Sequence, residues 1–472
     1  MIEIDISGKE FSYDIKALAM AFYPEKEWNI VEHPEWETTE GYLLCCHMEN
    51  EDKKAFFPRP YTKNQIKKQV YRWFQEYSGK ELPWGILTGI RPAKIPLRLK
   101  MQGEETAKIR EILKEEYLCR EDKVQLAMDV AQREYELTKG MEHKNCVNIY
   151  IGIPFCPTIC AYCSFSSYPV ERYRDKTDKY LDALEKEMKE SMKLVQDRQI
   201  VSLYLGGGTP TSLSEEQFER LLQMIDTWIP KEELKEYTVE AGRPDSITEG
   251  KLRSMKAHGV SRISINPQSM KQHTLERLGR RHTIEDIREK YLLARKLGFD
   301  NINMDLIAGL PEETLEDFQR TLREAEALKP DSITVHTLVI KRASRMRKEQ
   351  LEQGDAIHEE DRYIEDMQKE AEHFCREHGY EPYYMYRQKN KAHTTRNTNQ
   401  ENVAYAKPGK ECLYNIFIME ELQSILALGS GASTKLVFPE ENRMERVENV
   451  KSVEDYISRI DEMIKRKMES WR

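Results

Sequence analysis

The chain has 472 residues, a formal net charge of −9, 33% charged residues and 39% hydrophobic residues. That length suggests about two to four domains, and 24 Tyr, 13 Phe and 6 Trp argue for a globular rather than a disordered chain. The acidic balance gives no support to nucleic-acid binding driven by overall charge. No apolar stretch approaches the roughly 18–20 residues of a membrane span. The start, Met1-Ile-Glu-Ile-Asp5, has no basic region followed by an apolar run, so no secretion signal and a cytoplasmic location are expected.

In chain order, strand-like runs occur at Met1–Ile6, Trp28–Val31, Tyr42–His47 and Ala55–Phe57. Helical patterns run from about Thr62 to Tyr77, Glu104 to Glu116 and Glu121 to Lys139. Leu82–Pro92, punctuated by Pro and Gly, reads as a turn-rich connector. From Cys146 the texture changes. Strands are expected at Val147–Ile153, Ile200–Leu205, Tyr237–Glu240, Ser261–Ile265, Asn301–Leu306 and Ser332–Leu338. Helices are expected between them at about Asp175–Val195, Ser214–Trp228, Thr248–His258, Thr283–Leu297 and Leu315–Leu328. Six β/α units in about 200 residues predict an α/β fold, a parallel sheet with crossover helices curled into a partial (β/α)6 barrel; a doubly wound open sheet is the alternative. A charged helical pattern runs from Met346 to His378, followed by the aromatic and basic stretch Tyr383–Lys389 and a polar loop from Asn390 to Lys410. An apolar region (Leu413–Leu428), a Gly-rich turn (Gly429-Ser-Gly431) and a helix from about Val453 complete the chain. The expected regions are an α/β domain over 1–142, the barrel over 143–345 and a mostly helical, substrate-covering region over 346–472.

Nine cysteines cannot all pair, and in a reducing compartment the first question is metal or catalysis. Cys45, Cys46, Cys119, Cys146, Cys375 and Cys412 are scattered and read as packing residues. The other three stand together in Cys156-Pro-Thr-Ile-Cys160-Ala-Tyr-Cys163, directly after the first barrel strand. Three thiolates on one loop bind three irons of a four-iron cluster and leave the fourth open. A structural zinc site wants a fourth N or S ligand, and His143 precedes the strand. The later strand ends agree. Leu205-Gly-Gly-Gly-Thr-Pro210 lets backbone approach a ligand, with N–H groups available to a carboxylate. The third strand ends at Val239-Glu240-Ala-Gly-Arg243, the fourth at Ile265-Asn-Pro-Gln268 with Arg280-Arg-His282 beyond, the fifth at Asn303-Met-Asp305 and the sixth at Val335-His336. Asp305 in an apolar run needs a partner. One polar group per strand, all at the same end, is the arrangement of a barrel active site.

The CxxxCxxC spacing resembles the signature of radical S-adenosylmethionine (SAM) enzymes. Tyr150–Cys156, the cysteine loop, Gly206–Pro210, Gln268, Arg280 and Asn303–Asp305 together resemble the oxygen-independent coproporphyrinogen III oxidases. Leu82–Pro92, Glu240–Pro244, Gly279–Thr283, His336–Arg342, Tyr386–Asn390 and Tyr405–Gly409 resemble its HemZ-type branch, the coproporphyrinogen dehydrogenases. The resemblance covers nearly the whole chain. It implies a [4Fe-4S] cluster on Cys156, Cys160 and Cys163, whose open iron binds the amino and carboxylate groups of SAM. It implies that Tyr150, Gly207, Gly208, Thr209, Glu240, Gln268, Arg280 and Asp305 match positions that hold SAM, some of them a second SAM, and that Tyr162 is an aromatic position near the cofactors.

The implied reaction is abstraction of hydrogen from a propionate side chain by a 5′-deoxyadenosyl radical. Loss of one electron and carbon dioxide then leaves a vinyl group. Done twice, this converts coproporphyrinogen III into protoporphyrinogen IX in haem biosynthesis. The implied partners are a tetrapyrrole substrate, an electron donor and an electron acceptor. Lys341–Lys348, Arg387 and Lys389 are candidates to pair with the substrate carboxylates. A haem-binding or haem-delivery protein on the same scaffold, and a radical SAM enzyme acting on another tetrapyrrole such as haem, are the alternatives. The sequence departs from the family pattern at Ser164-Phe165, where the best-studied oxidases have a further Cys. It departs again at Glu312, where the family has Gly, and over Asn390–Glu401, a longer link containing His393 and Arg396.

Overall fold

The computed structural model describes residues 2–23, 28–36, 40–48, 51–141, 145–338, 346, 360–387, 400–441 and 443–471, with backbone only for 360–362. Lys341–Arg345, Arg347, Lys348, Lys389, His393, Arg396 and His143 lie outside the described residues. The described residues fall into two units. One takes those within Met1–Glu136, Ala356–Asp361 and Met385–Asn402; the other takes those within Leu137–Asp355, Arg362–Tyr384 and Val403–Arg472.

The first unit is built on a four-stranded sheet of β1 (Ile2–Ile6), β2 (Trp28–Glu32), β3 (Gly41–Met48) and β4 (Glu51–Pro58), in the order β2-β1-β3-β4. Ile4, Ile6 and Leu44 share its core with Ile15, Leu18 and Phe22 of the helix Ser12–Phe22 and Ile66, Val70 and Phe74 of the helix Lys63–Ser78. The second helix starts at a capping box of Thr62 and Gln65 and stops at left-handed Gly79, the signals expected of its sequence. The Leu82–Pro92 connector tucks in Trp84, 1% exposed, whose Nε1 donates to Glu401 Oε2 at 3.1 Å. Lys123 pairs with the same carboxylate. Gly85 is obligatory: a Cβ there would lie 2.1 Å from Tyr117 O.

The second unit carries six parallel strands: β5 (Cys146–Ile153), β8 (Gln199–Gly207), β9 (Glu236–Gly242), β10 (Arg262–Ile265), β11 (Ile302–Ala308) and β12 (Ser332–Thr337). They lie side by side in chain order, each parallel to the next. A doubly wound sheet reverses strand order at a switch point; this one does not, and its six strands form the continuous (β/α)6 run expected of a partial barrel. Ser214, Thr283 and Thr314 close capping boxes on three crossover helices, Glu215–Trp228, Ile284–Lys296 and Leu315–Glu326. Two short strands, β6 (Phe155–Cys156) and β7 (Tyr168–Pro169), pair across the cysteine loop.

The C-terminal third adds helices and also five strands: β13 (Glu381–Arg387), β14 (Glu401–Ala406), β15 (Ser424–Leu428), β16 (Ser433–Phe438) and β17 (Arg443–Glu448). β15 extends the sheet parallel to β5, from Ser424 opposite Val147 to Leu428 opposite Ile151. β14 runs antiparallel to β12. A buried knot holds this region to the helix Thr177–Ser191: Glu187 accepts from Lys467 Nζ (2.5 Å), Asn449 Nδ2 (2.7 Å), Tyr456 OH (2.5 Å) and Gly429 N (2.8 Å).

Candidate active site

Alternate residues of the parallel strands share one face, as the period of two demands. On β5, Asn148 and Tyr150 lie on the face where Ser202 and Tyr204 of β8 meet them; Ser202 Oγ donates to Asn148 Oδ1 at 2.7 Å. Tyr150, Tyr204 and Tyr414 stack with centroids 4.5–6.2 Å apart, and Tyr204 OH donates to Glu240 Oε1 at 2.5 Å. Glu236, at the start of β9, accepts from the backbone N–H groups of Leu413 (2.6 Å) and Tyr414 (3.3 Å) and so caps the helix Leu413–Glu420. The interior is polar throughout. Arg262 Nη2 donates to Ser332 Oγ at 3.1 Å, and Asn303 Oδ1 accepts from Ser332 and Thr334, each at 3.0 Å.

The strand ends converge as the sequence leads one to expect. Asn303 Nδ2 donates to Asp305 Oδ1 at 2.7 Å, and His336 Nε2 stands 3.8 Å from Asp305 Oδ2. Burial raises the affinity of Asp305 for a proton, but His336 and Asn303 outweigh it and hold the carboxyl below its ordinary value. Glu240 behaves oppositely: burial, reinforced by the Asp305 charge, pushes it up to about 7 against the hydrogen bond from Tyr204. Gln268 takes the left-handed conformation, φ 69°, and is 7% exposed. Its N–H donates to Asp305 O and its carbonyl accepts from Ile307 N, each at 2.9 Å. Arg280, 4% exposed, donates to Asn266 O (2.6 Å) and Tyr162 OH (3.3 Å).

The cysteine loop sits against the glycine triplet. Cys156 is buried, and Cys160 and Cys163 are half-buried. Cys156 Sγ is 3.5 Å from Thr209 Oγ1. Gly208 closes this contact: a Cβ would lie 2.5 Å from Phe155 O and 3.0 Å from Cys156 Sγ. Gly207, φ 108°, lies close to Ile153, where a Cβ would stand 3.0 Å from its N and O. The N–H groups of Gly208 and Thr209 donate to Ile153 O (2.8 Å) and Phe155 O (2.7 Å). They fix the cysteine loop rather than wait for a ligand carboxylate, so the value of the triplet is close approach. Arg243, from the exit of β9, reaches the middle of the loop: its Nη1 donates to Thr158 O (2.9 Å) and Thr158 Oγ1 (2.6 Å).

The residues fit the cofactors of such a site. Cys156, Cys160 and Cys163 stand on one loop, the first buried and the other two half-buried, so their sulfurs could serve three irons at the edge of the interior. Among the described residues no three His, Cys, Asp or Glu side chains converge as one metal ion would require; thiolates that bind three different irons do not converge on one point. Arg262 Nε, Ser264 Oγ, Thr238 Oγ1 and Arg280 Nε are buried without a hydrogen-bond partner among the described residues, which suits an interior that receives a polar ligand.

Sequence reasoning missed Tyr204, Tyr414, Arg262, Asp245 and the inward reach of Arg243. Alternation in Ile200–Gly206 carries the signal for Tyr204; nothing local announces Tyr414. Arg387, a candidate for the substrate carboxylates, is 6% exposed, donates to Leu87 O and lies 5.8 Å from the centre of the Trp84 ring. Glu312 takes a left-handed turn, φ 62°, a conformation that glycine adopts more readily, and pairs with Arg277 and with His273 at 3.1 Å.

Comparison with known proteins bears on the fold and the family. The radical SAM superfamily model matches residues 150–325. The structure of coproporphyrinogen III oxidase (HemN) from Escherichia coli superposes with a TM-score of 0.54 at 23% identity, covering 72% of this chain and 73% of that one, a likeness of fold. A radical SAM protein is thus the class that the barrel and its strand-end site define, with a [4Fe-4S] cluster and SAM as the cofactors of that class. The chain is 40% identical over 414 residues to the oxygen-independent coproporphyrinogen-III oxidase-like protein HemZ of Bacillus subtilis (strain 168), across 87% of this chain and 80% of that protein. It is 38% identical over 192 residues to the heme chaperone HemW of the same organism, across 40% of this chain and 50% of that protein. The chain belongs to the family of HemZ-type, oxygen-independent coproporphyrinogen-III oxidase-like proteins. No helix among the described residues is long and apolar enough to cross a membrane.

Proposed function

We propose that the protein is a radical SAM oxidoreductase that decarboxylates two propionate side chains of coproporphyrinogen III to vinyl groups without oxygen. The observation that carries this reading is the 40% identity to a coproporphyrinogen-III oxidase-like protein over 80% of that protein's length. In this reading Cys156, Cys160 and Cys163 hold three irons of the cluster. When bound, cluster and SAM supply a 5′-deoxyadenosyl radical. Glu240 and Asp305 accept hydrogen bonds from the cationic and ribose groups of SAM, while Gln268 and Arg280 orient it. Tyr150, stacked on Tyr204 and Tyr414, and Tyr162, bonded to Arg280, supply aromatic groups beside it, and Gly207, Gly208 and Thr209 bring backbone close to the methionyl part. An external donor supplies the electron for SAM cleavage and an external acceptor takes the electron lost with each carbon dioxide. We assign the protein to the cytoplasm, which nine free cysteines suit.

A second reading, haem binding and delivery, draws support from the match to a heme chaperone. One anaerobic experiment separates the two: reconstituted protein, SAM, dithionite, an electron acceptor and coproporphyrinogen III, with products read by mass. Loss of two carbon dioxide units per substrate is expected. Stoichiometric haem binding without turnover overturns the enzyme reading in favour of delivery, and consumption of haem marks another tetrapyrrole as substrate. Full cluster content in Cys160→Ala sinks the cluster assignment.

A further inference from the structure

Arg243 stands beyond a bulge at the end of β9. Glu240 pairs with Ser264, whereas Gly242, not Ala241, pairs with Ile265, and Gly242 takes φ 65°. Bulges beside active sites re-aim a side chain. Here the redirected group is a guanidinium, 4% exposed. Besides its two bonds to Thr158, its Nη1 lies 3.9 Å from Cys160 Sγ. Nε and Nη2 fork onto Asp245 Oδ1 (2.9 Å) and Oδ2 (2.6 Å). Thr158 Oγ1 in turn donates to Gly279 O at 3.0 Å. The middle of the cysteine loop is therefore tied both to the exit of β9 and to the segment before Arg280. His282, fully buried, stands 3.6 Å from Asp245 Oδ1, and burial keeps its ring disposed to stay neutral. One fixed positive charge, with one fixed negative charge behind it, faces the second cysteine.

The potential of an iron–sulfur cluster follows net charge, hydrogen bonds to its sulfurs and solvent exposure. A buried cation beside a ligand sulfur stabilises the more negative, reduced cluster, and a carboxylate behind the cation opposes it. We propose that Arg243 is a positioning residue that seats the cysteine loop and sets the one-electron reduction potential of the cluster, with Asp245 setting how much of the arginine charge the cluster feels. This rests on the reading that Cys156, Cys160 and Cys163 bind that cluster.

The test is a potentiometric titration of reconstituted full-length protein. Dithionite and mediators deliver one electron per cluster, the reduced cluster is read by electron paramagnetic resonance, and iron and sulfide content is measured alongside. Arg243→Gln is expected to lower the reduced-to-oxidised ratio at fixed poise about tenfold, ~59 mV for a one-electron couple. Asp245→Asn is expected to shift the ratio the opposite way, and Arg243→Lys to restore most of the wild-type value. Opposite signs are the signature of charge, since general damage to the loop moves both variants the same way. Shifts of the same sign, or none in either variant, overturn the proposal. Should Arg243→Gln not fold, Asp245→Asn alone decides: an upward shift supports the assignment and an unchanged potential refutes it. Wild-type protein that loads no cluster refutes the underlying reading instead, a distinct result.

Discussion

Gly208→Ala isolates the contact between the glycine triplet and the cysteine loop. Gly208 does not occupy the left-handed region, so alanine suffers no backbone penalty there and its effect is steric. The new Cβ would lie 2.5 Å from Phe155 O and 3.0 Å from Cys156 Sγ. A tight C···O contact needs about 3.3 Å, so the Phe155 carbonyl must yield by about 0.8 Å, and it is joined directly to Cys156, which begins the cysteine loop. Forcing one methyl into a closed site costs about 1–3 kcal/mol. At about 2–4 °C per kcal/mol for a unit of this order of size, Tm falls by a few degrees. The displaced Cys156 should lower cluster loading more than this destabilisation explains. Gly259→Ala supplies the control: φ is 82° and nothing lies within 4 Å of the new Cβ, so it costs about 1–2 kcal/mol through backbone alone. The assay is iron and sulfide per chain and visible absorbance after anaerobic reconstitution, beside thermal melts. We expect Gly208→Ala to lose at least half of its cluster and Gly259→Ala to load as wild type. Full loading of Gly208→Ala, or equal loss in both, refutes the argument.

Glu240 carries a pH dependence. Its carboxyl titrates at about 7 in the fold against 4.5 when unperturbed, so the stability it contributes is complete below pH 4.5 and is lost as pH rises through 7. Glu240→Gln should therefore stabilise the ligand-free protein above pH 7, by on the order of 3 kcal/mol at most, and should flatten a rise in SAM affinity through pH 7 seen by calorimetry in wild type; a wild-type profile without that rise counts against it. Gln268→Gly relieves a left-handed glutamine and should raise Tm while weakening SAM binding about tenfold; a lower Tm contradicts the strain reading. Lys467→Ala leaves the Glu187 charge buried and should cost about 3–5 kcal/mol in denaturant unfolding, most of it recovered by adding Glu187→Gln. Glu312→Gly should be about 1 kcal/mol more stable than Glu312→Ala, since both lose the ion pairs and glycine alone relieves the φ of 62°.

Much of this fold was legible because local signals repeat. The six barrel strands follow runs of β-branched residues, and the helices between them open at Ser214, Thr283 and Thr314, where a hydroxyl caps the first turn. The cysteine loop was legible because three ligand-type residues at fixed spacing have few other uses. What stayed hidden depends on distant pairing. β15 joins β5 although Ser424 and Val147 are far apart in the chain, and no local pattern specifies that neighbour. Tyr414 reaches the stack of Tyr150 and Tyr204 only because Glu236 caps its helix. Arg243 points at Cys160 because of a bulge, a one-residue irregularity that alternation conceals.

The interior of the barrel explains why its polar residues are tolerated. Thr238, Arg262, Ser264 and Asn303 are each at most 3% exposed, a set that would destabilise an apolar core unless paired. Arg262 and Asn303 share Ser332, and Asn303 binds both Thr334 and Asp305. Bonds among β10, β11 and β12 thus run from Arg262 through Ser332 and Asn303 to Asp305 near the carboxyl end, while Thr238 Oγ1 and Ser264 Oγ have no partner among the described residues. At that end stand two carboxylates shifted in opposite directions, Asp305 held below its ordinary value and Glu240, bonded to Tyr204 instead, pushed up to about 7. On the reading proposed above, SAM brings a sulfonium charge, and a site with one carboxylate already charged and a second that charges on binding offers it a counter-ion without burying two unpaired anions beforehand. The polar interior is thus the support that fixes those two side chains, which an apolar core of the same volume would leave free to turn.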